Sequence, residues 1–382
     1  MRIGIDARTI LNPQQGDAIG SGHYTYQIIR HLLKEDEENE YVLFFDFRVR
    51  EKDVKKFTKN NVQIRFYPFS DYKKYLPGIY SEMLGRAILA REHLDILHST
   101  SPLSRIPSGY KGLSVTTFHN LGIFAFEDLY SPLRRVREQI ISRFMAKKSD
   151  HIIAVSDALS NDLQERFSLS PSKISVIHGG VDTRFFSQEK NENKNFYEKH
   201  TIHFPYILFL GTLSPINNIP RLLEAFARFC KKNKKYQLVL AGKRDWLSGE
   251  YRQIAKDLGI ASKVAFTGYV VGDDLVPLFK NAEFFIMPSL YEGFGSTVLE
   301  ALATGTPTLA SRVTSLPEIA GEAVYFFNPL DVEEMARSMA LFASDPKLRQ
   351  EYARKGPLCA KKYQWQKTAK ETLEVYKKMV EE

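Results

Sequence analysis

Cysteine is almost missing from this chain: Cys230 and Cys359 are the only two in 382 residues. Two thiols so far apart imply no disulfide framework and point to a reducing compartment. No apolar run approaches the ~20 residues needed to span a bilayer. Met1-Arg2-Ile3-Gly4-Ile5-Asp6 enters a strand at once, so no signal peptide is expected. Zinc-ligand spacings, internal repeats, aspartate-rich metal motifs and the aromatic signature of RNA-binding sheets are all lacking. Neither a metal nor a cofactor is therefore expected, and nucleic acid is the weakest reading of the net charge of +8. An anionic lipid or a phosphorylated substrate suits that charge better.

What is present is the composition of a soluble globular protein, 43% hydrophobic and 26% charged. Such a length is too great for one ordinary core and suits two domains. Strands are expected at Ile3–Asp6, Tyr41–Phe45, Val62–Phe66, Ile96–His98, Leu113–Phe118 and His151–Ser156, with Lys173–Asp182 following them. A second series follows at Tyr206–Gly211, Gln237–Leu240, Val264–Phe266, Glu283–Ile286, Thr308–Ala310 and Val324–Phe326. Helical patterns alternate with them, the signature of parallel sheets covered on both faces. The fold class is α/β: two Rossmann-like domains, 1–187 and 188–364, with polar residues 188–201 as the linker.

The most informative stretch runs from Phe284 to Ala310. An apolar strand ends near Met287, Gly293 and Gly295 break it, Ser296 or Thr297 is placed to cap a helix, and Gly305 and Pro307 stop that helix. A helix start offers unpaired N–H groups and a favourable dipole to an anion. Glu292 lies before that start and Glu300 about one turn beyond it. Ionised carboxylates only accept hydrogen bonds, so they suit hydroxyl-rich partners. A sugar–diphosphate–ribose chain matches the layout; two solvated glutamates on a common βα turn are the plainer alternative.

In the first half, Gly20-Ser21-Gly22-His23-Tyr24 opens a helix, and His119 follows a strand, where open α/β sheets bind ligands. Residues 133–148 form a helical pattern with apolar positions at 133, 136, 140, 141, 144 and 145. Its other face carries Arg134, Arg135, Arg137, Arg143, Lys147 and Lys148. That face is either ordinary solvated surface or a basic surface for anionic lipid. The last segment, 365–382, reads as an amphipathic helix with Ala369, Leu373, Tyr376 and Met379 on one side.

Ser289-Leu290-Tyr291-Glu292-Gly293-Phe294-Gly295, continued through Leu299-Glu300-Ala301-Leu302-Ala303-Thr304-Gly305-Thr306-Pro307, resembles the donor-binding signature of the retaining glycosyltransferases of family four (glycosyl transferases group 1). The resemblance covers nearly the whole chain. It implies the GT-B fold, two Rossmann-like domains facing across a cleft, with the helix 365–382 packing back on the first. It also implies transfer of a sugar from a UDP- or GDP-sugar to a hydroxyl acceptor, lipid-linked or oligosaccharide, with retention and without metal. In that scheme Glu292 orients the sugar and Glu300 binds ribose. Gly293, Phe294, Gly295, Ser296 and Thr297 form the phosphate turn, His119 touches the sugar, and Gly22 faces the phosphates. Tyr269 and Val270 meet the base, and Lys243 or Arg244 reaches the diphosphate. Bacterial mannosyltransferase-like members that build surface polysaccharides are the most similar in pattern, which leans toward GDP-mannose. The expected location is cytoplasmic, or peripheral at the inner face of the membrane.

Two departures stand out. Asn120 replaces the usual aspartate after the histidine. More seriously, Ile216 and Asn217 stand where the family carries arginine and lysine, so the donor loop lacks its cation. A binding-only relative and a nucleotide-sugar epimerase on the same fold are therefore the alternatives.

Overall fold

The computed structural model describes residues 1–11, 20–67, 79–187, 194–243 and 248–381. Its first sheet contains β1 (Arg2–Asp6), β2 (Glu40–Asp46), β3 (Val62–Tyr67), β4 (Ile96–Ser99), β5 (Leu113–Phe118), β6 (His151–Ala154) and β7 (Ile174–Val176). The second contains β8 (Tyr206–Leu210), β9 (Gln237–Ala241), β10 (Val264–Gly268), β11 (Phe284–Met287), β12 (Thr308–Ser311) and β13 (Tyr325–Phe327). All pairings are parallel, in the orders β3-β2-β1-β4-β5-β6-β7 and β10-β9-β8-β11-β12-β13. Strands such as Tyr206-Ile207-Leu208-Phe209-Leu210 are apolar at every position because helices cover both faces, and all five residues are buried.

The chain divides into two compact units. The first comprises Met1–Phe124, Ser131–Gly180 and Trp365–Glu382; the second comprises Ala125–Tyr130 and Val181–Gln364. The second therefore starts at Val181, because Val181 and Phe185 pack into its core. The expected linker is also more than a linker. Residues Lys194–Lys199 form a helix, and Phe196 and Tyr197 are buried in the same core. Two aromatic rings anchor a stretch that its lysines had marked as solvent.

Within the first unit, the helix Gly20–Glu35 and the terminal helix Trp365–Glu381 pack together, with Trp365 against Tyr24 at 5.5 Å and stacked over His31 at 6.5 Å. The terminal helix buries Trp365, Thr368, Ala369, Thr372 and Tyr376. Leu373 and Met379, expected on the inner side, are only partly covered. Thr368 and Thr372 turn inward instead because their hydroxyls find carbonyl acceptors, His178 O at 2.8 Å and Thr368 O at 2.7 Å.

The helix Pro132–Lys148 splits its apolar positions between inside and outside. It buries Gln139, Ser142, Met145 and Ala146, whereas Leu133, Val136 and Ile140 are 83%, 50% and 60% exposed. Gln139 is held inside by its Nε2–H bond to Ile123 O at 3.2 Å. Of the six apolar positions, 133, 136 and 140 thus lie outside among the arginines, Ile141 and Phe144 are half-buried, and Met145 is buried.

Candidate active site

Parallel sheets of this kind bind ligands beyond the strand carboxyl ends, where the strand order reverses. In the second sheet the reversal falls between β8 and β11, which are direct neighbours. The loop after β8 carries Asn217 and the loop after β11 carries Glu292. The sheet topology brings these positions, distant in sequence, to one edge.

The helix Ser296–Ala303 starts with Gly295 as its N-cap, at φ +91° and without a side-chain cap. Ser296 and Thr297, expected as caps, are its first two helical residues. A glycine suits 295 because the backbone there is left-handed, and a Cβ would also make the Leu316 side-chain end, 2.5 Å away, give way. With no capping side chain, the first N–H groups of the helix are left for an anion. Phe294 packs edge-on against Tyr363 at 5.9 Å, which fixes the turn from the other side.

Glu292 is clamped through its backbone. Its N–H donates to Thr314 Oγ1 at 3.0 Å, and its carbonyl accepts from Thr314 Oγ1 at 2.6 Å and Ser315 Oγ at 2.9 Å. Thr314 adopts φ +40°, a costly conformation for a β-branched residue, held by this reciprocal pair. The Glu292 carboxyl lies 2.8 Å from Ser289 Oγ. Burial pushes its pKa up to about 7, with the Ser289 hydroxyl opposing. Glu300 is 7% exposed, and burial raises it to about 8, offset by the nearby Arg184 guanidinium and reinforced by Asp182. Arg184, Thr314 and Ser315 carry no local mark in the sequence, and Ser289 stands in the signature without a role of its own.

Asn217 is tied in on both sides. Its Nδ2–H donates to Thr212 O at 2.6 Å, and its Oδ1 accepts from Ser289 Oγ at 3.1 Å. Next to it, Asn218 takes the left-handed conformation and donates to Pro288 O at 3.1 Å and Pro329 O at 2.8 Å. Lys243 is exposed at the end of β9, its carbonyl accepting from Leu213 N–H at 3.0 Å. Before it, Gly242 stands at φ +146°, and a Cβ there would come within 1.8 Å of Gly211 O. Tyr269 is 43% exposed and Val270 buried, just after β10. Arg244 lies outside the described residues.

In the first unit the order reverses between β1 and β4. His119 follows β5, and its Nε2–H donates to Thr100 O at 2.7 Å. That bond leaves Nδ1 as the acceptor of a neutral imidazole. Burial lowers the His119 pKa to about 4 against the opposing pull of that carbonyl. Gly22 is buried near the start of its helix, and Tyr24, two residues on, meets the His119 ring at 4.6 Å. The hydroxyls of Thr9, Thr25 and Thr100 follow one another at 2.7 and 2.8 Å, and Thr100 donates to Asp6 O at 2.9 Å. Asn120 Oδ1 accepts from Gly122 N–H at 2.6 Å, so this departure serves as a turn cap.

Each α/β unit has a polar edge at its reversal point, and in the second an uncapped helix start falls between Glu292 and Glu300 in the chain. The family match is direct. A model described as Glycosyl transferases group 1 matches residues 189–358, and one described as Glycosyltransferase Family 4 matches 19–185; the chain belongs to these glycosyltransferases. It is 28% identical to O-antigen chain mannosyltransferase B of Escherichia coli, over 94% of this chain and 96% of that one. It is 29% identical to the serotype-specific mannosyltransferase WbdA of Escherichia coli over 62% of this chain, but only 29% of that longer protein. The solved structure of sucrose-phosphate synthase from Thermosynechococcus elongatus is similar with a TM-score of 0.78 at 19% identity, covering 99% of both chains. The fold is GT-B.

Proposed function

We propose that this glycosyltransferase moves mannose from GDP-mannose to a hydroxyl of a lipid-linked or oligosaccharide acceptor during surface polysaccharide synthesis, with retention of configuration. The observation that carries the reading is the uncapped start of the helix Ser296–Ala303, flanked by Glu292 and the buried Glu300. Departure of the nucleotide concentrates negative charge on phosphate, and preorganised N–H groups stabilise such charge most effectively. We assign Gly293, Phe294, Gly295, Ser296 and Thr297 to that phosphate turn. Glu300 takes the ribose, Glu292 the sugar, Tyr269 and Val270 the base, and Lys243 with Arg244 the diphosphate. From the first unit we assign His119 to the sugar and Gly22 to the phosphates. With helix and side-chain cations neutralising the leaving group, transfer needs no metal and survives EDTA. The name of the Escherichia coli relative similar along its whole length supports mannose.

The test begins with thermal stability against UDP, GDP, ADP and their sugars. A ligand at 100 times its dissociation constant adds about 2.7 kcal/mol, which a melting curve resolves. Glu300→Ala then weakens free GDP, whereas Glu292→Gln lowers turnover with free GDP binding nearly intact. Equal loss of GDP affinity in both variants contradicts the assignment. Binding without transfer to any acceptor favours the binding-only alternative, and epimerised free sugar nucleotide favours the epimerase.

We also infer a peripheral site of action on anionic membrane. Among the described residues no helix is long and apolar enough to cross a bilayer. The helix Pro132–Lys148, however, carries six cationic residues to one acid, Glu138, and turns Leu133, Val136 and Ile140 outward among them. Apolar side chains flanked by arginines suit an interface with acidic head groups. Binding to vesicles containing phosphatidylglycerol then falls with salt and with Arg134→Ala plus Arg135→Ala. Equal binding to pure phosphatidylcholine removes the electrostatic part of this reading.

A further inference from the structure

The hydroxyl of Ser289 has one proton and faces two stronger acceptors. Glu292 Oε1 lies 2.8 Å away and Asn217 Oδ1 3.1 Å away; the weakly accepting Met287 Sδ is also at 3.1 Å. Turning the Asn217 amide over does not relieve the competition. Thr212 O, 2.6 Å from the amide, is a carbonyl and requires an N–H opposite it. The amide nitrogen must therefore point at Thr212, and its oxygen must point at Ser289. Were Glu292 ionised, it would take the only proton of Ser289, leaving two lone-pair oxygens facing each other 3.1 Å apart. Were Glu292 protonated, every contact is satisfied in one direction. Glu292 O–H donates to Ser289 Oγ, Ser289 O–H to Asn217 Oδ1, and Asn217 N–H to Thr212 O.

We propose that Asn217 is a positioning residue which, through Ser289, holds Glu292 as a neutral carboxylic acid. The neighbours of Glu292 agree with this. Ser289, on the same turn, is the hydroxyl that meets the carboxyl, while Thr314 and Ser315 from the loop after β12 bond only the backbone of Glu292 and hold its position. Among the described residues Glu292 has no charged partner, and burial alone already moves its titration toward neutrality. Ser289 is completely buried, so water does not resolve the competition for its proton.

The consequence bears on the loop's missing cation. A lysine at 217 would bring one positive charge and donate toward Ser289, freeing the serine proton for an ionised Glu292. The pair would carry +1 and −1. Asparagine with a neutral Glu292 carries zero and zero. The net charge beside the leaving group is the same in both arrangements, so the loss of the lysine and the protonation of the glutamate offset each other. The catalytic part of this inference rests on Glu292 facing the donor sugar; the protonation part does not.

Titration of Glu292 in the whole protein, followed by ¹³C NMR of the side-chain carboxyl and assigned with Glu292→Gln, tests the chain without any substrate. Asn217→Leu makes the surroundings more apolar, which by burial alone holds or raises the Glu292 pKa. Release of the serine proton lowers it instead, by roughly one pH unit, the scale of one hydrogen bond. In a Ser289→Ala background the same Asn217→Leu change has no such effect, because the relay is already cut. A downward shift that disappears in Ser289→Ala supports the proposal. An unchanged or raised pKa in Asn217→Leu, or a fall that persists without Ser289, overturns it. Should Asn217→Leu not fold, Asn217→Ser is titrated by the same criterion. A correct titration in a protein that transfers no sugar retires the functional reading and leaves the relay standing.

Discussion

Burial disfavours the charged form of histidines at the edge of the first sheet and of glutamates at the edge of the second, and acid therefore affects the two in opposite senses. In the first sheet the groups are histidines. His98, at the heart of β4, lies between Tyr376 Oη, 2.5 Å from Nδ1, and Thr117 Oγ1, 2.8 Å from Nε2. Burial lowers it to about 3, with the nearby His119 adding to the effect. In the second sheet the groups are Glu292 and Glu300, raised to about 7 and about 8. A histidine with a depressed folded pKa binds fewer protons than its unfolded counterpart at ~6.5, so its stabilisation is complete above that value and fades as pH falls toward 4 and 3. A glutamate with a raised folded pKa binds more protons than its unfolded counterpart near 4.3. Its site is favoured below that value and loses stability as pH rises to 7 and 8. The first edge is thus a closed network at physiological pH, while the second is poised within the physiological range.

The largest expected effect tests whether the second edge depends on a side-chain cation as well as on its neutral carboxyls. Lys243→Ala should cut transfer by roughly 10²–10³, the loss typical of one preorganised donor, with little change in melting temperature because Lys243 is exposed. Unchanged transfer would leave charge neutralisation to the helix start alone. Next in size is Tyr376→Phe, which strips the buried His98 Nδ1 of its partner. A neutral imidazole donates at one nitrogen and accepts at the other, so the loss leaves one buried polar atom unsatisfied at ~1–3 kcal/mol. Urea unfolding should report it as a lower midpoint; an unchanged midpoint would show that the network is not holding the terminal helix.

Smaller, and aimed directly at the comparison, is the pH response. Amide exchange, corrected for its intrinsic rate, should show β4 and β5 gaining protection between pH 4 and 6.5. Over pH 5 to 8 the turn 288–300 should lose it. Parallel trends in both segments would refute the contrast. The smallest change expected is Asn120→Asp. Its Oδ1 only accepts, from Gly122 N–H, and a carboxylate serves equally. Melting temperature and transfer should both stay close to the parent's, and a large gain in transfer would give this position a role its geometry does not show.

Much of the fold was legible because strands buried on both faces are written as unbroken apolar runs. Each expected strand is present, with ends differing by a residue or two, as at Tyr325–Phe327. Orientation was less legible. For the helix Pro132–Lys148, spacing groups Leu133, Val136 and Ile140, yet what packs inward depends on neighbours such as Ile123, which accepts from Gln139. Residues 188–201, inside the second unit, read as linker because their lysines outnumber the two aromatics that anchor them. In the site, Glu292 and Glu300 were visible as a local pattern around glycines. Thr314, Ser315 and Arg184 were not, because their meaning comes from partners 22 residues away, as for Thr314, or from another turn altogether, and Ser289 was visible only as the head of the signature. Asn217 was visible only as a departure. Its hydrogen bonds to Thr212 and Ser289 turn a missing cation into part of a different arrangement.

The close approach of Gly242 to Gly211 has a consequence for how variation at this edge should be interpreted. With its neighbour's carbonyl where a Cβ would stand, position 242 has room for hydrogen and nothing else. In a saturation library selected for soluble protein alone, it should already be fixed as glycine, before any substrate is offered. Position 243, next in the chain and exposed, should accept almost every residue under that selection and narrow to lysine only when transfer is demanded. Two adjacent codons would then separate constraint by shape from constraint by chemistry.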